Sequence, residues 1–444
     1  MALGRRGGRL VNHLGSVIGA AAVLARPGHF LAFVPLRLPF LPVRFYPTPA
    51  FTLRRSEGDF ALAAPGVRDH RIDVVRGAAL LVILWNHLAR SLPGAYALTE
   101  LTPTAWGLSD AADVFVFLSG YVYGLAYARV WEGGGLRAVY KKSAVRAWEL
   151  YVVNAVAFVL AAGLVAAFSL HVAPEQTAAI EKFAPLLNRP LDVLASFPAL
   201  RADVPYFDVL VLYIEILLVV PILYALLQFR WWVGLGASTG LYLVAQTEGG
   251  EWPLFFNPLA WQLLFVAAVA LGAYRPPIPR AKALALAAVV IVVGSALSFR
   301  VLHPLALRGF VPDLGWIAVV EWSAKGTLGV GRLVYFAALA YLFRYATRRD
   351  SPVWAGRWTA PLRTAGRHSL GVFAFGIVLT YAGTLVGHTA ETGLVGGALV
   401  AGAACVASLV FAYVLEWRNA RPARASAAPL PPRRVGLAAL DETR

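Results

Sequence analysis

Two residues in the first strongly apolar stretch carry the sharpest chemical pattern in the chain. Arg76 and His87 stand eleven residues apart. On an α-helix that is three turns and about 20°, or roughly 16 Å along the axis. Both side chains therefore share one face, a fixed cation near one end and an imidazole deep in the helix. Ionisable groups inside such a stretch are costly enough to mark function. An imidazole there can accept a proton from a hydroxyl, or carry a transferred group briefly. A lone histidine in a membrane helix is more often a hydrogen-bonded packing residue. The cation on its face and the polar helix that follows weigh toward chemistry. Asp73 lies one turn before Arg76 and is spaced to pair with it.

The next apolar stretch opens with Ser109, Asp110 and Asp113 and runs on through Ser119 and Gly120. Asp110 and Asp113 are one turn apart on one face. A short connection makes the two helices antiparallel neighbours, which lets Asp113 meet His87 and fix its tautomer, the orienting role of a carboxylate in acyl-transfer sites. Asp110 also reads as a plain N-cap, whereas Asp113 lies too far in for one. Ser119 beside Gly120 fits close packing by small residues as well as a supporting polar role. Lys142 and Arg146 are spaced i, i+4 and point one way, either as ordinary basic flanking or as a cradle for a phosphate-bearing donor. Lys325 and Arg332 fall where cations are least expected. Either an anionic acceptor outside the membrane or a salt bridge to Glu321 or another acidic residue would account for them. Asn257, Trp261, Gln262, Arg367, His368 and Ser369 are further polar residues at helix ends.

The elements that must hold these groups are membrane helices. Of 444 residues 59% are hydrophobic and only 14% charged, which excludes an ordinary soluble enzyme and a disordered chain. The apolar runs are continuous, which argues against an outer-membrane barrel. Ten runs of spanning length fall at 74–92, 108–128, 147–170, 207–227, 231–246, 256–274, 283–302, 328–345, 368–387 and 393–416. With that count, 32 of the 40 Lys and Arg lie on the side of the even loops and both termini, and eight on the other. That bias puts both termini in the cytoplasm. The fold expected is all-α and polytopic, with about ten transmembrane helices. Residues 1–67, with Arg5, Arg6 and Arg9 before a short apolar run and six prolines from Pro27 to Pro49, read as a poorly ordered extension, a leader or an interfacial anchor. Residues 68–417 form the transmembrane domain and 418–444 a basic cytoplasmic tail. The one cysteine, Cys405, rules out an intrachain disulfide and a cysteine metal site, and no metal site is expected. The net charge of +16 reads as cytoplasmic basic loops rather than as nucleic-acid binding.

The stretches RDHRIDVVRG to NH (68–87), GLSDAADVFVFLSGY (107–121), RAWELYV (146–152), FFNPLAWQLLF (255–265), KGTLGVGR (325–332) and AGRHSLGVF (365–373) resemble the OpgC-type membrane proteins, relatives of the integral-membrane acyltransferase-3 superfamily. The resemblance implies that His87 is catalytic, with Asp113 standing where the family has Glu, one methylene longer. It implies that Arg76, Lys142 and Arg146 hold an acyl-CoA, Lys142 replacing the usual Arg. Asp73, Asp110 and Ser119 then support the site, and Lys325 and Arg332 lie toward the acceptor. The implied reaction moves an acetyl or succinyl group from cytoplasmic acyl-CoA to a hydroxyl of a periplasmic or cell-envelope glucan, across the bacterial inner membrane. Acyl-CoA is a co-substrate, and no permanently bound cofactor is implied. A secondary transporter or glycolipid flippase accounts for the helices and buried charges equally well, but not for the spacing of Arg76 and His87. A membrane scaffold leaves those charges without a purpose.

Overall fold

The computed structural model describes residues 69–171, 183–247, 252–310, 312 and 322–426. The expected extension 1–67, Glu321 and the end of the tail lie outside them. Among the described residues the regular structure is helical, without strands. The long helices are α1 (His70–Ser91), α2 (Ala111–Ser169), α3 (Asp208–Phe229), α4 (Trp231–Thr247), α5 (Pro258–Tyr274), α6 (Lys282–Leu297), α7 (Val330–Ala346), α8 (Ala360–Arg367), α9 (Ser369–Thr389) and α10 (Gly393–Ser426).

Each of the ten predicted spans falls on helix. Six helices among the described residues are long and apolar enough to cross a membrane. One is α2, which takes in two predicted spans, and α4, α5 and α7 have 17 residues each, short of the roughly 20 a bilayer core needs. The outer face of α6 carries Leu284, Leu286, Val290 and Val293, all exposed. An aliphatic stripe of that kind is tolerated in lipid and not in water. Helix α10 runs to Ser426, past the expected end of the domain at 417.

Helix α2 is a hairpin in all but its hydrogen-bond bookkeeping. Tyr123 Oη lies 2.9 Å from Ser143 Oγ, and Lys142 Nζ lies 4.8 Å from the Tyr127 ring. Twenty residues of unbroken helix would separate such groups by about 30 Å. The chain doubles back at Gly134 and Gly135, which leave helical geometry, and Gly135 takes φ 57°, a region open to glycine at little cost. The arms are 111–133 and 136–169.

Small residues let the helices approach closely. A Cβ on Gly120 would lie 2.3 Å from the Phe265 carbonyl oxygen, and one on Gly124 would lie 2.2 Å from that of Val269, so the first arm of α2 meets α5 backbone to backbone. Gly366 meets the Asp73 carbonyl in the same way and seats α8 on α1. Helices α1 and α2 run antiparallel. Arg76 donates to the Leu118 carbonyl at one end, while Asn86 exchanges hydrogen bonds with Thr102 and Thr104 at the other.

Candidate functional site

A cleft of about 380 Å³ opens at the Arg76 end of the bundle. Arg76 comes from α1, Ser119, Tyr123 and Tyr127 from the first arm of α2, Lys142 and Arg146 from the second, Tyr213 from α3, and Ser369 and Phe373 from α9. The glycine hairpin is what turns Lys142 and Arg146 back over the first arm, and their i, i+4 spacing sends both side chains into the cleft. Arg146 pairs with Glu149 at 2.8 Å, and both are about half exposed. The mouth is therefore basic. The walls are aromatic: Tyr123 and Tyr127 stack at 3.6 Å, and Phe115 stacks on Phe373 at 5.9 Å. Tyr213 and Ser119 line the same space as Arg76 and Arg146. Four residues expected in the site (Arg76, Ser119, Lys142 and Arg146) thus share one space. A cationic rim leading to an aromatic, water-poor interior suits a ligand with an anionic head and an uncharged arm.

His87 lies beyond that cleft and faces inward. It lines a small void of about 10 Å³ with Phe373 and Ser408, and Phe373 is a wall of the cleft as well. On its other side the imidazole rests 4.3 Å from the Tyr206 ring. The Tyr206 hydroxyl lies 2.5 Å from Ser91 Oγ, which donates to the His87 carbonyl, and His388 Nε2 contacts the Ser91 carbonyl at 2.9 Å. Tyr206 takes φ 76°. A bulky residue in that region is strained, and such strain clusters at working sites.

The carboxylate expected at His87 is committed elsewhere. Asp113, fully buried, takes a two-pronged contact from Arg332 at 2.9 and 2.8 Å and a hydrogen bond from Ser109 at 2.8 Å. It also accepts from the Asp110 backbone N–H, so it closes a capping box. The expectation that it lay too deep for a cap is corrected: N3 is the position from which a side chain reaches back to the cap. Asp110 is the N-cap, accepting from Ala112, and also binds Lys325 at 2.7 Å and Arg332 at 3.1 Å. Burial works against ionisation of Asp110, but the two cations outweigh it and hold its carboxyl well below the usual carboxylate range. Lys325 and Arg332 are therefore salt-bridge partners, and the acids they meet are Asp110 and Asp113. The bond follows from topology. Trp261 Nε1 donates to the Lys325 carbonyl and Asn257 N to that of Gly326, so α5 seats the 322–329 segment beside the start of α2.

Asp73 is buried on α1 against α8. Arg367 and His368 pair with Glu416 of α10, and Gln262 bonds Ser238 of α4. Tyr206, Tyr213 and Ser408 are the site residues that sequence reasoning passed over.

These features define a helical membrane protein with a basic cleft at one end and a histidine-lined void beyond it. A family model described as OpgC protein matches residues 68–420, and the chain belongs to that family. Membership carries with it the expectation of an acyltransferase-like role in glucan modification. No curated protein and no solved structure matches the chain.

Proposed function

We propose that the protein is an O-acyltransferase of the bacterial inner membrane, with both termini cytoplasmic, that moves an acyl group, acetyl or succinyl, from cytoplasmic acyl-CoA to a hydroxyl of an envelope glucan. One observation supports this above the rest. The cleft that gathers Arg76, Lys142 and Arg146 and the void beside His87 share a lining residue, Phe373. In this reading the donor's phosphates rest on Lys142 and Arg146, with Arg76 deeper in. The uncharged pantetheine arm lies against Tyr123, Tyr127 and Tyr213, and the thioester passes Phe373. The acceptor hydroxyl comes from the opposite end of α1. His87 takes the hydroxyl proton as its oxygen attacks the thioester carbonyl carbon. The carbon–sulfur bond then breaks, and the proton passes from His87 to the departing thiolate. Tyr206, tilted against the ring, takes over the orienting role expected of Asp113.

The test is transfer of labelled acyl groups from acyl-CoA to extracted glucans by membranes holding wild type or His87→Ala. Loss of transfer with normal insertion is the expected result. Full transfer by His87→Ala ends the assignment.

A further inference from the structure

Ser408 of α10 is 1% exposed, and its hydroxyl has no hydrogen-bond partner among the described residues. Helical hydroxyls in apolar surroundings ordinarily donate to the carbonyl four residues back. Thr380 and Thr384 of the adjacent α9 do so, bonding Gly376 and Thr380. Ser408 instead is one of the residues lining the void beside His87. That void has room for one water molecule or one methyl group. Apart from His87 and Ser408 its walls are carbon, among them Leu84, Phe373 and Ile377, with Gly376 leaving one side bare. Among the described residues no Lys or Arg lines it.

We infer that this void is the acyl subsite and that it selects a short uncharged acyl group, acetyl rather than succinyl. This rests on the acyl-transfer reading. The acetyl methyl fills the space and Ser408 O–H donates to the thioester carbonyl oxygen. When the acceptor oxygen bonds to the carbonyl carbon and His87 takes its proton, negative charge collects on that oxygen. Ser408 holds the charge until the carbon–sulfur bond breaks and the thiolate leaves with the proton from His87. Ser408 is thus a catalytic residue whose hydroxyl stays unpartnered for a substrate oxygen. A succinyl group adds a methylene and a terminal carboxylate. The void has neither the volume for it nor a cation to meet the charge, and an unpaired buried carboxylate is strongly disfavoured.

The experiment uses the full chain in lipid nanodiscs with extracted glucan and acetyl-, propionyl- or succinyl-CoA. Acetyl-CoA is expected to exceed propionyl-CoA in kcat/KM by about 10-fold or more, and succinyl-CoA by about 100-fold or more. Ser408→Ala should lower kcat by about 100-fold, with KM and thermal midpoint unchanged, since the hydroxyl supports nothing in the fold. Gly376→Ala is the second variant. Its added Cβ meets only Leu84 Cδ1, at 4.0 Å, so the helix accepts it while the methyl takes up the void. It should keep CoA binding and lose acetyl transfer. Equal or better use of succinyl-CoA, or wild-type kcat in Ser408→Ala, overturns the inference and leaves the acyltransferase standing. Absence of transfer from every thioester overturns both.

Discussion

Removing Arg332 separates a structural from a catalytic role for Asp113. Arg332→Leu leaves the Asp113 carboxylate fully buried, with only Ser109 and a backbone N–H to meet it. Stripping one partner from a buried ion pair costs about 3–5 kcal/mol. Lys325 reaches Asp110 and not Asp113, so it does not replace the lost charge. Asp113→Asn alone leaves Arg332 with Asp110, and it should cost less, about 2 kcal/mol. With the carboxylate gone, removing Arg332 no longer strands it, so the double variant should be less destabilised than the sum of the singles by about 2 kcal/mol or more. Thermal unfolding in detergent micelles reads this out as a fall of roughly 5 °C or more for Arg332→Leu. A carboxylate that served His87 would behave otherwise, with Asp113→Asn losing transfer at an unchanged midpoint. A coupling energy below about 0.5 kcal/mol between the two positions refutes the structural account.

Other expectations follow from the same geometry. The folded value of Asp110 is depressed, so its contribution to stability is complete above its unfolded value, near 3.9, and is lost as pH falls through the lower folded value. Stability governed by this group should hold from pH 8 to about 5 and drop below about 4, and Asp110→Asn should flatten that acid limb in pH-resolved melts. Replacing Lys142 and Arg146 together by Glu should raise KM for acyl-CoA by about 10-fold or more, and abolish the salt dependence of donor binding, which titration calorimetry measures. Tyr206→Leu should lower kcat by roughly 10–100-fold with KM for acyl-CoA unchanged, and Tyr206→Phe should recover most of that if the ring contact matters more than the hydroxyl. Gly120→Val should abolish the monodisperse folded peak in size-exclusion chromatography, because its Cβ collides with the backbone of α5.

Helix positions were legible because lipid imposes long apolar runs, and every predicted run lies on helix. Crossing is harder to read. Helices of 17 residues such as α5 are apolar enough but short, and sequence patterning does not separate a short span from a buried core helix. The basic cleft was legible in part. Arg76, Lys142 and Arg146 could be named from spacing, yet Tyr213 reaches them only because α3 packs across the α2 hairpin. Tyr206 gave no signal, since it precedes a helix in a segment without periodicity. Ser408 looked like any serine in a small-residue membrane helix. The mistaken pairing of His87 with Asp113 has a definite source. Adjacent antiparallel helices suggested it, while the competing cation lies 219 residues further on and arrives through a loop whose placement depends on α5.

Charge balance decides what each end of the bundle can bind. At the Asp110 end two carboxylates face Lys325 and Arg332, and Asp208 adds a further acidic influence on Lys325. That group has no positive excess, so it can lock the 322–329 segment against α2 but has no attraction left for an anionic acceptor. Among the residues that line the cleft at the Arg76 end are three cations, Arg76, Lys142 and Arg146, and one acid, Glu149. The excess lies where aromatic walls lower the local dielectric and where half-exposed side chains keep their freedom to move onto a ligand. In the proposed function the anionic donor is therefore placed at the Arg76 end, and the Asp110 cluster is not what holds the acceptor.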